Sequence, residues 1–407
     1  MGLFSKKPKV RNGVVVDIGS GSVLVSIVRS DPNQSAPEII WSKREFLPLK
    51  TSENIDQTAN HVTGVFMKTM LYVEGEGRKV LQSVYPNEKL TDLQVAISAP
   101  WSYTITKTIS YTDKKEFIIT DEMINELVET AEEKTTNELH ESEITNSLGL
   151  TVMNKITTNI LANGYPTIKP DNQKATKVAL SHISAVAQEI LITTINETRN
   201  KIIPKVPSQL FSFMLVYFYV VRELYPAYTD YCLVDITNEA TEMGVVRDGS
   251  LQYCTHIPTG VATLAKAIAN KAGIPVEEVM SYFRNQESFL IALDKNSKLN
   301  KVYNEIIKKY EEDVMGLFME TGDALSIPKT IFIHTDALTE TFFNEHIVKA
   351  GHLATKINHN VVNISQKVLT KYYSEKQIET IKKKNIDTAL LLSANFFHNH
   401  KFGGNFM

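Results

Sequence analysis

Cysteine is almost missing from this chain. Cys232 and Cys254 are the only two in 407 residues, and two thiols make no disulfide framework, which excludes the small disulfide-stapled extracellular class. Both fall in segments that read as core strands, where a free thiol in a reducing cytoplasm behaves as a small hydrophobe. Glycine is scarce as well, at 18 residues, and tryptophan stops at two; collagen-like and glycine-rich low-complexity chains are out. Neither sign of charge dominates. Lys and Arg number 43 against 46 Asp and Glu, a net of −3, so there is no general drive toward nucleic acid. A long apolar run is lacking too: the longest, Leu210 to Val221, falls short of the roughly 18 residues that a membrane span needs, and reads as a buried helix crossing between two halves. The opening Met1-Gly2-Leu3-Phe4-Ser5-Lys6-Lys7-Pro8-Lys9 has no apolar h-region and is not a secretion signal. Its lysines, with Arg11, offer a contact to anionic lipid at roughly 1 kcal/mol each; a frayed, solvated terminus is the other reading.

Because glycine is rare, the places that use it stand out. Val14-Val15-Val16-Asp17-Ile18-Gly19-Ser20-Gly21-Ser22-Val23 is an apolar strand ending in Asp, a tight polar turn and a second strand. Far downstream, Cys232-Leu233-Val234-Asp235-Ile236-Thr237-Asn238-Glu239-Ala240-Thr241 has the same layout. The likeness extends past the turns. After the first, a strand near Ser22 to Val28, the turn Asp31-Pro32-Asn33, a strand near Glu38 to Trp41 and a helix near Ile55 to Tyr72 are expected. After the second come a strand near Ala240 to Val246, the two-residue hairpin signal Asp248-Gly249, a strand from Leu251 to Thr255 and a helix near Gly260 to Lys271. Two β-meanders, each followed by a helix, imply two similar halves facing each other.

Short turns rich in Gly and Ser leave backbone N–H groups free to point at an anion, and Gly19 and Gly21 let the backbone approach closely. Asp17 and Asp235 then face phosphates across a Mg²⁺ that keeps several of its waters. Taken singly, each turn also reads as an ordinary hairpin capped by Asp; their repetition favours phosphate binding.

These segments resemble the phosphate loops of the actin-like ATPases of the actin/Hsp70 superfamily, and within it those of the FtsA and PilM type. Val14 to Val25 is similar to the first loop, Leu233 to Gly249 to the second loop and its hairpin, and His256-Ile257-Pro258-Thr259-Gly260 to the segment entering the next helix. The resemblance implies an α/β, duplicated ribonuclease H-like, two-domain fold that binds ATP with Mg²⁺. The nucleotide set it implies is Asp17, Gly19, Ser20, Gly21, Ser22, Asp235, Thr237, Asn238, Thr241, Thr335 and Asp336, with Asp17 and Asp235 holding the metal through water. Two departures count against activity. The second loop has no glycine after its Asp and carries Glu239, which repels phosphate. The later glycine pair of the family is replaced by Thr335 and Asp336. No residue that would orient an attacking water is evident.

The intervening segment differs from the repeat. Asp92 to Ser98 and Thr104 to Ser110 read as strands, a helix starts after an N-cap at Thr120 with Met123, Ile124, Leu127, Val128 and Ala131 on one face, and a strand follows near Thr157 to Leu161. This makes a small α+β insert over ~92 to 165, at the place where the resemblance puts the SHS2 or 1C subdomain. The expected organisation is half I over 8–91, the insert over 92–165, a return to half I with the crossing helix over 166–224, half II over 225–350, and a C-terminal region over 351–407. The return begins with a strand near Lys177 to His182 and a helix near Ala187 to Lys201; half II holds a short helix from Ile274-Pro275 and a longer one near Lys301 to Glu320. A helix near Glu375 to Phe397 packs back on half I. The ten histidines show no zinc-ligand spacing, and Lys382-Lys383-Lys384 reads as a solvated helix face rather than a binding patch.

Three functions follow. One is a cytoplasmic nucleotide-binding adaptor at the inner face of the membrane, its insert engaging a membrane-anchored partner through a short peptide, with self-association possible. The second is a scaffold that has lost the nucleotide. The third, a small-molecule kinase, is disfavoured by the insert. The lack of a terminal amphipathic helix favours type IV pilus assembly over cell division as the setting.

Overall fold

The computed structural model describes residues 9–47, 55–141, 149–321, 327–335, 339–384 and 386–400. Asp336, the segment 1–8 and the tail 401–407 lie outside them. The chain opens as a meander, β1 (Arg11–Ile18), β2 (Ser22–Ser30) and β3 (Glu38–Phe46), followed by α1 (Ile55–Tyr72), a π-helical turn Val73–Gly77 and α2 (Arg78–Val84). β4 (Asp92–Ile97) then pairs in parallel with β1, and β9 (Ser208–Ser212) in parallel with β4. The first sheet therefore runs β3-β2-β1-β4-β9.

The second half repeats this plan. β10 (Tyr231–Ile236), β11 (Thr241–Arg247) and β12 (Ser250–Ile257) form the meander, and β13 (Thr330–Thr335) and β14 (Asn360–Asn363) add in parallel, giving the order β12-β11-β10-β13-β14. Asp248 and Gly249 both have positive φ, +50° and +68°, so they make the two-residue hairpin turn that matches strand twist. The helices of this half are α6 (Val261–Ala272), α7 (Val276–Arg284), α8 (Gln286–Lys295), α9 (Ser297–Met319) and, between β13 and β14, α10 (Glu340–Thr355). Cys232 and Cys254 are free and lie on β10 and β12, which β11 separates.

Between β4 and β9 the chain leaves the first sheet to build β5 (Ser102–Ile118), α3 (Asp121–Glu141), β6 (Leu150–Ala162), β7 (Tyr165–Pro166) and β8 (Lys174–Gln188), then returns through α4 (Glu189–Ile202). The third sheet, β5-β8-β6-β7, has α3 on one face, with Leu127 and Ala131 of the helix over Ile109, Ile160, Val178 and Leu180. Its edge meets the second half: Thr106 Oγ1 donates to the Gln252 carbonyl, Asn159 Nδ2 donates to Ser250 Oγ at 2.9 Å, and the Tyr103 ring lies 4.5 Å from His256.

Four sequence expectations are corrected here. The strand at Asp92 belongs to the first sheet and not to the insert: it pairs in parallel with β1 and is buried along its length. The strand at Lys177 to His182 does not return to half I but forms the centre of the third sheet, paired on both sides, so the inserted sheet spans Ser102–Gln188 rather than ~92 to 165. The run Leu210 to Val221 is not all helix. Its first residues pair with β4, and the chain turns at Ser212, whose hydroxyl caps α5 (Phe213–Leu224) by accepting from Leu215 N–H. The helix expected near Glu375 to Phe397 is two pieces, α12 (Glu375–Lys383) and α13 (Thr388–Asn399), the second capped by Asp387, with the short α11 (Gln366–Leu369) ahead of them.

From Phe213 to Val221 α5 is apolar on every face, and every one of those residues is buried. With α13 it fills the space between the two large sheets, where Phe211, Phe213, Phe218, Leu390, Phe396 and Phe397 share one core with Leu233 and Phe332.

Candidate functional site

The ends of β1 and β10 carry the two loops that the sequence singles out, and the fold brings those loops into contact. Ser20 Oγ donates to Thr237 Oγ1 at 3.0 Å and accepts the Glu239 N–H at 3.0 Å. Thr237 Oγ1 also accepts the Ala240 N–H and reaches the Ala99 carbonyl at 3.2 Å. Asn238 lies over Gly21: a Cβ built there would fall 1.7 Å from Asn238 Nδ2. The absence of a side chain at 21 is thus what lets Asn238 pack onto the first loop in this rotamer.

Three backbone donors of the second loop are engaged by protein. Thr237 N–H goes to the Ala240 carbonyl at 2.9 Å, Ala240 N–H to Thr237 Oγ1 at 3.1 Å, and Glu239 N–H to Ser20. The N-terminus of α6, another natural anion site, is pressed onto the same loop: Val261 N–H donates to the Thr237 carbonyl at 2.9 Å and Ala262 N–H to the Asn238 carbonyl at 2.8 Å. In the first loop, Gly19 N–H donates to the Ser22 carbonyl, Trp101 Nε1 donates to the Gly19 carbonyl at 3.2 Å, and the Arg44 guanidinium donates to both Ser22 Oγ and Asp387.

The acids are placed differently from each other. Asp17, at the end of β1, is 3% exposed. Asp235 is wholly buried, and its Oδ1 pairs with His334 Nδ1 at 2.7 Å while His334 Nε2 meets Thr388 Oγ1 at 3.0 Å. The registry explains the pair, since β10 and β13 run parallel with Asp235 opposite His334. On the other side Asp235 faces Glu242, and burial, with Asp235 adding repulsion, pushes that carboxyl well above the usual range. Burial also raises Glu239, against the pull of Lys266. Thr241 does not face the loops: it donates to the Thr259 carbonyl at 2.7 Å and meets the Tyr310 hydroxyl. Thr335 is buried, its hydroxyl accepting Thr339 N–H at 3.2 Å, and Asp336 is outside the described residues. Sequence reading missed Arg44, Trp101, His334 and Thr388. Only His334 carried a signal, as a polar residue ending an otherwise apolar strand.

No protein-family profile and no curated protein matches this chain. Among solved structures, the PilM–PilN type IV pilus biogenesis complex matches at 12% identity over 95% of this chain and 98% of that one, with a TM-score of 0.57. The chain has the actin-like ATPase fold. Weaker likenesses are to ethanolamine utilization protein EutJ from Carboxydothermus hydrogenoformans, 11% identical over 96% of this chain and 90% of that one at TM-score 0.43, and to a Bacteroides thetaiotaomicron protein with an actin-like ATPase fold, 10% identical over 96% and 99% at 0.41. In actin-like terms, β1, β2, β3, β4 and β9 correspond in order to β10, β11, β12, β13 and β14. The nucleotide that such a fold implies would need free N–H groups in both loops and carboxylates within reach of a hydrated metal. As arranged, the residues do not fit it. The second loop spends the N–H groups of Thr237, Glu239 and Ala240 on protein, Asn238 fills the approach to Gly21, and Asp235 is enclosed by His334.

Proposed function

We propose that this chain is an actin-like scaffold of a membrane-associated assembly, of the PilM type, that engages a membrane-anchored partner through a short peptide and holds its two halves together without nucleotide. The observation that carries the second part is the direct bonding of the loops, Ser20 to Thr237 and Glu239 N–H to Ser20, with Asn238 packed on Gly21. Support for the first part is the likeness over nearly its whole length to the PilM–PilN complex of type IV pilus biogenesis. A position at the inner face of the membrane goes with that reading, and no helix among the described residues is long and apolar enough to cross a bilayer.

A second reading, an adaptor that binds Mg-ATP, is favoured by the first loop, whose Asp17-Ile18-Gly19-Ser20-Gly21-Ser22 keeps both glycines. In it, opening the halves would free the loops for phosphate. Isothermal titration with Mg-ATP separates the two: the scaffold gives no saturable heat, the adaptor a one-to-one isotherm. Capture on the purified chain, followed by identification of a bound inner-membrane protein, tests the assembly role; recovery of soluble metabolic enzymes alone would count against it.

A further inference from the structure

The last helix starts where the two loops meet, and the residues at its start reach to opposite halves. Asp387 caps α13, its Oδ1 accepting the Leu390 N–H at 2.9 Å, while its Oδ2 accepts from Arg44 of β3, whose guanidinium also donates to Ser22 of the first loop. The next residue, Thr388, meets His334 Nε2 at 3.0 Å, and His334 holds Asp235 on the strand that leads into the second loop. Two adjacent residues thus complete a line of side chains, Ser22, Arg44, Asp387, Thr388, His334 and Asp235, that runs from one loop to the other beside their direct contact. His334 and Asp235 are wholly buried and Thr388 nearly so, so water does not compete for these bonds.

The segment ahead of this step crosses between the halves. Ile364 N–H still donates to the Ile333 carbonyl of the second sheet. From there the chain passes to the first half and follows the β2–β3 turn and β3. Ser35 Oγ donates to the Tyr372 carbonyl at 2.8 Å, Gln377 Nε2 to the Pro37 carbonyl at 3.1 Å and Lys384 Nζ to the Ile40 carbonyl at 3.1 Å. α12 therefore lies along β3 with Lys376, Lys382 and Lys383 exposed, and its end leads straight into the buried step.

We propose that Asp387 and Thr388 form a clasp, anchored on the first half by Arg44 and hooked on the second by His334, which sets whether the loops stay in contact. Because the two residues share the first turn of one capped helix, a shift of either moves the other. Lifting α12 from β3 would then unhook the halves. The clasp rests on the same closed loops as the nucleotide-free reading, and adds that closure is governed from the C-terminal segment.

Amide hydrogen exchange on the full chain, with neither nucleotide nor partner present, tests it. Gly19 N–H reports the first loop, and Glu239 and Ala240 N–H report the second. Thr388→Val removes the hook and keeps the side-chain shape; Arg44→Met removes the anchor. Each should speed exchange at both loops by at least about fivefold, as loss of one buried hydrogen bond implies, so that Thr388→Val reaches Gly19 and Arg44→Met reaches Glu239 and Ala240. Asp387→Asn keeps the helix cap and should act as Arg44→Met does, which covers a failure of that variant to fold. Asn395→Ala strips a bond to the Leu369 carbonyl from the same helix and should leave both loops at the parent rate. An effect confined to the loop on the substituted side would overturn the proposal, as would parent rates at both loops. An Asn395→Ala chain whose loops open equally would do so too, because α13 would then be loosening as a whole. Titration with Mg-ATP is read separately: a chain that binds nucleotide yet shows the reciprocal exchange keeps the clasp and loses the nucleotide-free reading.

Discussion

Two glycines at the contact between the loops look alike and should behave in opposite ways. A Cβ at Gly21 would fall 1.7 Å from Asn238 Nδ2, the worse overlap on distance alone. A Cβ at Gly260 would lie 2.3 Å from the Thr237 carbonyl oxygen, 2.7 Å from Ala240 N and 2.9 Å from the Asn238 carbonyl carbon. The obstacle at Gly21 is the free end of a side chain that a rotamer change removes, so Gly21→Ala should cost under about 1 kcal/mol. At Gly260 the obstacle is backbone on three sides. Relieving it means moving α6 from the loop by ~1 Å to restore ordinary contact distances. That strains the Val261 to Thr237 and Ala262 to Asn238 hydrogen bonds, now 2.9 and 2.8 Å. Overpacking of about 1–3 kcal/mol plus about 1 kcal/mol for one weakened bond gives a loss near 3 kcal/mol for Gly260→Ala. Urea unfolding followed by tryptophan emission reads both, since Trp101 is wholly buried and bonded to Gly19 at the first loop. Equal losses, or a larger loss at Gly21, would refute the argument that the kind of neighbour outweighs its distance.

Ser20→Ala and Thr237→Val, singly and together, should show a coupling of about 1 kcal/mol in a denaturation cycle, while strict additivity would mean the loops do not hold each other. His334→Ala leaves the buried Asp235 without its imidazole donor and should cost about 2–4 kcal/mol; a thermal melt indistinguishable from the parent would show that the pair is not the anchor it looks. Acid should destabilise the C-terminal contact. Burial, with Arg222 and Arg11, pulls His400 down to about 3, and burial lowers His398 too. Glu223, 3.3 Å from His400, does not reverse this, since burial raises its own carboxyl. An unfolded imidazole titrates near 6.5, so this stability is complete above that pH and drains as pH falls toward 3. Melting temperature should drop between pH 7 and pH 5, and His400→Gln should flatten the drop; an unchanged slope would remove His400 from the account. If Mg-ATP does bind, Asp17→Ala should abolish it and Glu239→Gly tighten it in the same titration, and an Asp17→Ala chain that binds as well as the parent would put the site elsewhere.

The duplicated meanders were legible because they are local: strand, turn chemistry and helix follow one another within a few tens of residues. The helix read near Ile55 to Tyr72 spans Ile55–Tyr72, and Asp248-Gly249 makes the expected turn. Pairing across long separations was not legible. β4 and β8 have similar apolar patterns, and only their partners, β1 for one and β5 with β6 for the other, assign them to different sheets. At the site, local sequence pointed to the loops as phosphate binders from the glycines of the first and the strand-end Asp that both share. It could not report that Gly21 serves Asn238, or that Asp235 is claimed by His334 far along the chain. Those uses depend on what the opposite wall presents, and the sequence keeps no local record of it.

α13 has a consequence for how the chain is made. Its Leu390, Leu391, Phe396 and Phe397 sit in the core with Val15, Leu24 and Val28 of the first two strands, and Arg11 donates to the Phe397 carbonyl. β1 and β2 therefore wait, once synthesised, for residues made as many as 386 positions later, roughly 20–80 s at ordinary elongation rates. Through that interval one apolar side of the opening sheet stays bare, and a holding chaperone or the nascent second half must shield it.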